Sequence, residues 1–176
     1  PATQKISDDG VIVAFGDSLT YGYGSSKDND YVSLLSEMID RPIVNLGVNG
    51  DTTADALKRI DSVTILKPEL VIVFLGGNDL LRRVDIDTTF SNLDEIVSKI
   101  RGTGAEVVLV AVPGSILGDP YEDKFKEIAK KYDATYVPQF LSRLVINREL
   151  MSDSIHPNDE GYKIVAEKIF KAVKEY

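Results

Sequence analysis

The segment that decides the fold is Leu-Val-Ile-Val-Phe-Leu-Gly-Gly-Asn-Asp, residues 70–79. Its first six residues are apolar without alternation, which predicts a strand that is buried on both faces. Such strands are typical of parallel sheets that helices cover from above and below. The Gly-rich turn at residues 76–79 then presents polar side chains where the strand ends. The segment therefore predicts a central strand of a parallel α/β sheet with polar groups at its carboxyl end.

The same alternation of short apolar runs and longer helical stretches continues along the chain. Apolar residues between the runs recur at spacings of three and four, which indicates amphipathic helices, and the last of these helices is predicted over residues 162–176. The pattern predicts a three-layer α/β/α sandwich with a five-stranded parallel sheet, right-handed crossovers, and ligands at the carboxyl ends of the strands. The predicted strands are residues 11–15, 43–46, 70–75, 107–112 and 135–137.

Length and composition narrow the classes of function. The 176 residues predict one domain, residues 1–176, and the 20 Lys and Arg against 28 Asp and Glu give a net charge of −8. This charge disfavours nucleic acid as a partner. The chain has no Cys and one His, which excludes disulfides, thiol catalysis and zinc sites built from several imidazoles. A metal ion would have to be held by carboxylates.

The location of the protein is less constrained by the sequence. No apolar run reaches the length of about 20 residues that spans a bilayer, and no segment has the pattern of a signal peptide. We therefore expect a soluble protein without an integral membrane segment. The first residue is Pro1 rather than Met, so the compartment stays open, with a periplasmic or secreted location as the expectation. The oligomeric state is also left open.

Polar residues that can perform serine catalysis follow the predicted strands. Ser18 comes directly after the first strand, and the only histidine, His156, stands three residues after Asp153 on a loop before the last helix. A serine nucleophile needs a base that takes its proton and an acid that orients this base. The developing oxyanion needs donors, which the amides of Ser18 and Gly50 and the side chain of Asn78 can supply.

In these residues the sequence resembles the SGNH branch of the GDSL esterase and lipase family, in particular its small bacterial thioesterase, arylesterase and lysophospholipase members. The resemblance covers nearly the whole chain and implies a flavodoxin-like SGNH hydrolase fold. It implies Ser18 as nucleophile, Gly50 and Asn78 as oxyanion donors, and Asp153 with His156 as acid and base. Ser154 departs from the family pattern, in which Gly is commoner at this position. The four matching blocks are Gly16-Asp17-Ser18-Leu19, Gly50-Asp51-Thr52, Gly76-Gly77-Asn78-Asp79 and Asp153-Ser154-Ile155-His156-Pro157.

A hypothesis from a different class rests on three aspartates, Asp17, Asp51 and Asp79, which follow three successive strands. A receiver-like, metal-binding signalling module uses the same layered architecture with an acidic cluster and a lysine after the fifth strand. Here residues 138–141 follow that strand and contain no lysine. We therefore interpret the three aspartates mainly as caps and turn-stabilising residues.

The sequence thus predicts a serine esterase without metal or cofactor that hydrolyses short- to medium-chain carboxylic esters. The resemblance adds lysophospholipids and acyl thioesters as narrower substrate classes. Leu81, Ile116 and Ile155 are predicted to line the substrate site. A carbohydrate O-acetylesterase is the alternative, because it would use the same residues and because Tyr21 and Tyr23 beside the nucleophile offer rings on which a sugar can stack.

Overall fold

A computed structural model describes residues 5–114 and 120–176 of the chain. Its five strands form one parallel sheet in the order β2-β1-β3-β4-β5, which is the order of flavodoxin-like folds. The predicted three-layer α/β fold is therefore confirmed. The strands are β1 (Ile12–Gly16), β2 (Ile43–Gly47), β3 (Leu70–Phe74), β4 (Glu106–Val110) and β5 (Thr135–Val137).

Helices cover the sheet on both faces. The helix at Thr53–Lys58 packs against the helix at Ile86–Arg101, which in turn packs against the helix at Pro120–Lys131. The helix at Tyr31–Ile39 packs beside the C-terminal helix. The helices are α1 (Ser18–Tyr21), α2 (Tyr31–Ile39), α3 (Thr53–Lys58), α4 (Asp61–Thr64), α5 (Gly77–Leu81), α6 (Ile86–Arg101), α7 (Pro120–Lys131), α8 (Leu141–Val145) and α9 (Asp159–Val173), with a 3-10 turn at Arg148–Leu150. Each of these helices falls short of the length and apolar character that crossing a bilayer requires.

The predicted and observed strands agree within one or two residues at each end. The largest difference is at β4, which the sequence extends to residue 112 and the structure ends at Val110. Val110 pairs with Val137, the last residue of β5, and Pro138 follows it without a backbone N–H. The Ala111 amide still donates to the Val137 carbonyl at 3.0 Å, and Pro138 has no N–H with which to extend the ladder further.

The last helix has the length that its apolar pattern predicts, but it begins and ends three residues earlier than predicted. It begins at Asp159, where the side chain of Asn158 accepts a hydrogen bond from the Gly161 amide, and it ends at Val173. Tyr176 was expected on its apolar face but lies beyond its end, where the Tyr176 hydroxyl is 2.6 Å from the Thr135 hydroxyl. A polar contact with β5 thus takes the place of another helical turn.

Candidate active site

Ser18, His156 and Asp153 form a continuous hydrogen-bonded chain at the carboxyl end of the sheet. Ser18 is the first residue of α1, directly after β1, and its Oγ lies 3.0 Å from His156 Nε2. The other ring nitrogen, Nδ1, lies 2.7 Å from Asp153 Oδ2. The structure therefore brings together all three residues that the sequence analysis selected, although 138 positions separate Ser18 from His156.

The loop that carries Asp153 and His156 is held by its own backbone. Asp153 Oδ1 accepts hydrogen bonds from the amides of Ile155 and His156, each 2.8 Å long. The His156 carbonyl accepts hydrogen bonds from the amide and the hydroxyl of Ser152, and Met151 and Pro157 form an antiparallel bridge. The acid and the imidazole are therefore fixed relative to each other by contacts within residues 151–157.

These hydrogen bonds also set the charge state of the acid. Partial burial by itself would raise the pKa of Asp153, but the amides of Ile155 and His156 and the imidazole ring all stabilise the carboxylate. Their combined effect brings the pKa of Asp153 below its usual value. At neutral pH the carboxylate is ionised and accepts a hydrogen bond from the ring.

Tyr23 packs on the imidazole, a contact that the sequence analysis missed. The ring centroids of Tyr23 and His156 are 4.5 Å apart, with an angle of 49° between the planes. The Tyr162 hydroxyl donates a hydrogen bond to the Tyr23 carbonyl and so ties this segment to α9. No spacing rule signals this contact, because Tyr23 and His156 lie on different loops of the chain.

Two backbone amides at this end of the sheet, those of Ser18 and Gly50, have no carbonyl partner within the described residues. The Ser18 amide is the first in α1, so no carbonyl of a preceding helical turn can accept from it. Gly50 has a φ of +82°, a left-handed conformation that favours glycine, and its amide donates no hydrogen bond to another residue of the described ranges. Both amides are thus available to a ligand.

Asn78 lies beside these amides in the first turn of α5. Its Nδ2 donates to the Asp51 carbonyl at 3.0 Å and to Asp17 Oδ2 at 3.3 Å. The Asp51 contact fixes the Asn78 amide against the loop that carries Gly50. The longer contact to Asp17 is the one that a ligand would displace with least cost.

The three aspartates after the strands each have their own partners. Asp17 is buried and caps α1, because its Oδ1 accepts from the Leu19 amide at 3.0 Å. Asp79 is fully buried and accepts from the Thr53 amide and hydroxyl at 2.9 and 2.6 Å. Asp51 pairs with Arg59. Across residues 5–114 and 120–176, no three His, Cys, Asp or Glu side chains are grouped so that they could hold a metal ion.

Burial changes the acidity of Asp17. Loss of hydration raises its pKa to about 7, and the nearby carboxylates of Asp51 and Asp79 act in the same direction. The hydrogen bond from the Leu19 amide opposes this shift without cancelling it. A carboxyl group that is partly protonated at neutral pH therefore lies next to the nucleophile.

Arg59 joins the ends of the first two strands to the loop that carries Gly50. Its Nε donates to Asp51 Oδ2 at 2.6 Å, and its two terminal nitrogens donate to the carbonyls of Leu46 and Gly16, each at 2.9 Å. The guanidinium also lies 4.4 Å from the centre of the Phe15 ring. The sequence analysis missed this residue, since an Arg at the end of a short helix resembles any surface cation.

An apolar pocket of about 140 Å³ opens beside Ser18. Leu81 and Ile155, two of the predicted substrate-site residues, line it, whereas Ile116 lies outside the described residues. Leu141 and Val145 of α8 form a further wall that the sequence analysis did not select, although their spacing of four gave the signal. Ser18, His156 and Asn78 also line the pocket.

The chain is similar in sequence to a family of hydrolases and to several curated proteins. The sequence model of the GDSL-like Lipase/Acylhydrolase family matches residues 14–164. Among curated proteins, an arylesterase of Vibrio mimicus is 31% identical over 168 residues, which cover 89% of this chain and 84% of that protein. The thioesterase 1/protease 1/lysophospholipase L1 of Escherichia coli K12 is 28% identical, over 93% of this chain and 83% of that protein.

The fold is also similar to the folds of solved esterase structures. The psychrotrophic esterase EstA from Pseudoalteromonas superposes with a TM-score of 0.85 at 25% identity, over 95% of this chain and 98% of that one. AlinE4, described as an SGNH-hydrolase family esterase, superposes with a TM-score of 0.75 at 35% identity, over 97% of this chain and 98% of that one. Both similarities extend over nearly the full length of each chain.

Proposed function

The chain belongs to the GDSL-like lipase/acylhydrolase family of esterase-type hydrolases, and on this premise we propose that Ser18, His156 and Asp153 are its catalytic triad. The hydrogen-bonded chain from Asp153 Oδ2 through the imidazole to Ser18 Oγ carries this proposal. With the ring proton on Nδ1, His156 donates to the carboxylate and presents the lone pair of Nε2 to the serine hydroxyl. This is the arrangement that activates a serine nucleophile.

In the acylation step, Ser18 Oγ attacks the ester carbonyl while His156 Nε2 takes the hydroxyl proton. The resulting imidazolium is stabilised by Asp153, whose lowered pKa keeps it ionised. When the tetrahedral intermediate collapses, the same proton passes to the leaving alcohol and Ser18 keeps the acyl group. Water then attacks the acyl-enzyme by the reverse route and releases the carboxylate.

The amides of Ser18 and Gly50 and the Asn78 Nδ2 are proposed to hold the oxyanion. The contact of Asn78 with the Asp51 carbonyl fixes its side chain before the substrate arrives, so little reorganisation is needed in the transition state. Its second N–H turns from Asp17 to the oxyanion. A substrate that fills the pocket would displace water from these donors, and each would then contribute more than it does in solution.

We propose simple esters with short to medium acyl chains as substrates. The pocket beside Ser18 is lined by aliphatic side chains and holds about 140 Å³, below the roughly 300–1,000 Å³ of pockets that enclose a drug-sized ligand. This size favours a few methylenes over a long chain. The named activities of the relatives, arylesterase and thioesterase 1/lysophospholipase L1, make aryl esters, acyl thioesters and lysophospholipids the classes to assay first.

A carbohydrate O-acetylesterase is the second candidate, and one observation favours it. Tyr21 and Tyr23 are 56% and 48% exposed, and Tyr23 lies against the ring of His156. Aromatic rings beside the nucleophile are surfaces on which a sugar can stack. A series of alkanoate esters, assayed beside acetylated saccharides, separates the two functions: rising kcat/KM from acetate to hexanoate supports the simple esterase, and a preference for acetylated saccharides supports the alternative.

The triad is tested by replacing its members. We expect Ser18→Ala and His156→Ala each to lower kcat by about 10⁴-fold or more, and the double variant to lose little beyond either single one, because the residues act as a unit. Ser154→Ala is the matched control, since this exposed serine lies in the same loop as the histidine. Circular dichroism checks that all variants fold. Near-parental turnover of Ser18→Ala would refute the proposed triad.

A further inference from the structure

A second cavity lies away from Ser18. It is a groove of about 720 Å³ between β5, α8 and α9. The short helix α8 separates it from the acyl pocket: Leu141 and Val145 line the pocket, and Arg143 and Leu144 line the groove. The two cavities share none of their described lining residues. The groove is therefore a separate site on the same molecule.

The floor of the groove is apolar and only half-buried. Tyr136, Phe140, Leu150 and Ile164 each pack on the core while they stay partly exposed. The α9 residues of the wall run from Ile164 to Ala172, which is about 12 Å at the helical rise of 1.5 Å per residue. An elongated apolar floor of this kind fits a linear hydrocarbon chain better than a compact ring.

Cations stand on both walls of the groove. Arg143 projects from the α8 side, and Lys168 and Lys171 project from the α9 side. All three are exposed, and within the described ranges none of them forms a side-chain ion pair. Glu175 is the acidic residue of this lining. In a chain with a net charge of −8, this concentration of cations is complementary to an anionic group.

We propose that the groove binds a long-chain carboxylate, with its hydrocarbon chain on the apolar floor and its carboxylate among Arg143, Lys168 and Lys171. Burial of each methylene against the floor supplies the affinity, and the cations supply selectivity for the anion. The volume of the groove lies within the roughly 300–1,000 Å³ of small-molecule sites. This site does not depend on the reaction at Ser18.

The absence of tryptophan from the sequence allows a direct test of position. Phe140→Trp places a single fluorescent reporter in the groove, and Leu81→Trp places one in the acyl pocket. A long-chain carboxylate labelled with bromine near its methyl end quenches only a reporter that it contacts. We expect saturable quenching in Phe140→Trp at concentrations that leave Leu81→Trp unquenched.

Charge variants test the recognition of the anion. Lys168→Gln and Lys171→Gln should each raise the Kd of the unlabelled carboxylate, measured by calorimetry, roughly two- to five-fold, as expected for exposed charge pairs. Together with Arg143→Gln they should raise it about ten-fold or more, and added salt should reduce the difference. Lys163→Gln and Lys174→Gln are the matched controls, because both lysines are exposed near the ends of the same helix and neither lines the groove. The alcohol of the same chain length should bind about as weakly as the carboxylate binds to the triple variant.

Several outcomes would overturn the proposal. Equal Kd values in the groove variants and the two controls would show that the cations do not recognise the ligand. Quenching confined to Leu81→Trp would place the carboxylate in the acyl pocket instead. Binding to anionic phospholipid vesicles with the same dependence on Lys168 and Lys171 would identify a membrane-docking surface. Self-association that Phe140→Asp abolishes would identify the groove as an interface between two copies of the chain.

Discussion

The two halves of the candidate site are held in place by different means. Ser18, Gly50 and Asn78 lie in three segments that follow β1, β2 and β3. Polar side chains connect these segments, with Asp17 bonded to Asn78 and Asp51 bonded to Arg59. Asp153 and His156 lie on one loop, and their mutual geometry depends on contacts within seven residues. The first half is built from long-range contacts and the second from local ones.

This difference has an energetic consequence. Buried carboxylates such as Asp17 and Asp79 must give up hydration, so their contacts contribute to folding as much as to the site. Asp153 is exposed, with 42% of its side chain accessible, and its removal exposes no buried charge. Changes in the loop of His156 should therefore affect activity alone, whereas changes among the buried aspartates should affect activity and stability together.

The largest expected effect comes from Asp153→Asn. The new side chain keeps an oxygen for the amides of Ile155 and His156 but places an NH₂ group against Nδ1, which favours the wrong ring tautomer. We expect kcat to fall by about 10⁴-fold, while the free energy of unfolding changes by no more than about 0.5 kcal/mol. Steady-state kinetics and urea denaturation measure the two quantities. A large loss of stability would contradict the assignment of this loop to locally held structure.

The next effect concerns the half of the site that contains Ser18, Gly50 and Asn78, and the dependence of stability on pH that Asp17 gives it. Because the pKa of Asp17 rises from 3.8 to about 7 on folding, the folded chain keeps a proton that the unfolded chain has released between these values. The free energy of unfolding should therefore fall as pH rises through this window, by up to roughly 4 kcal/mol at 1.36 kcal/mol per pH unit.

Asp17→Asn should remove this contribution and flatten the stability profile between pH 4 and 7. Thermal or urea unfolding across this range measures the slope. Asp153→Asn is the control, because its exposed carboxylate has a lowered pKa and cannot produce a slope of this sign in this window. The same slope in the parent and in Asp17→Asn would show that another group is responsible.

Asn78→Ala tests whether activity and stability are coupled in the half of the site that contains Asn78. The loss of an oxyanion donor should lower kcat by about 10²–10³-fold with KM nearly unchanged. The same substitution removes the partner of the Asp51 carbonyl, so the free energy of unfolding should also decrease, by about 1–3 kcal/mol. A variant that lost activity and kept full stability would place Asn78 with the locally held residues instead.

The sequence was sufficient for the architecture and for the residues that chemistry selects. Apolar runs such as residues 70–75 predicted the sheet, since unbroken burial on both faces has few alternatives. Ser18, Asp153 and His156 were identified because catalysis needs these residue types and because a matching family pattern fixed their order. The structure brings them within hydrogen-bond distance, while their catalytic roles stay proposals.

The contacts that hold the site could not be predicted. Arg59 reaches two strand ends and a loop at once, and no local spacing indicates which carbonyls an arginine will meet. The packing of Tyr23 on His156 and the bond from Thr53 to Asp79 have the same character. Long-range side-chain contacts depend on the relative placement of finished elements, which periodicity along the chain does not encode.

The smallest expected effect concerns the acyl pocket, which lies between the two halves. Leu81 lies on the same helix as Asn78 and is 58% exposed, while Ile155 belongs to the loop of His156. Each buried methylene of a substrate contributes up to about 0.8 kcal/mol, so kcat/KM in the parent should rise several-fold from acetate to hexanoate before the pocket is filled.

Leu81→Trp should fill part of the pocket and lower kcat/KM for hexanoate several-fold, with acetate little changed. Ile65→Trp, at an exposed residue that does not line the pocket, is the control for the added ring. Since Leu81 is largely exposed, stability should stay within about 0.5 kcal/mol of the parent. An unchanged chain-length profile in both Leu81→Trp and Ile155→Trp would mean that the acyl chain binds outside this pocket.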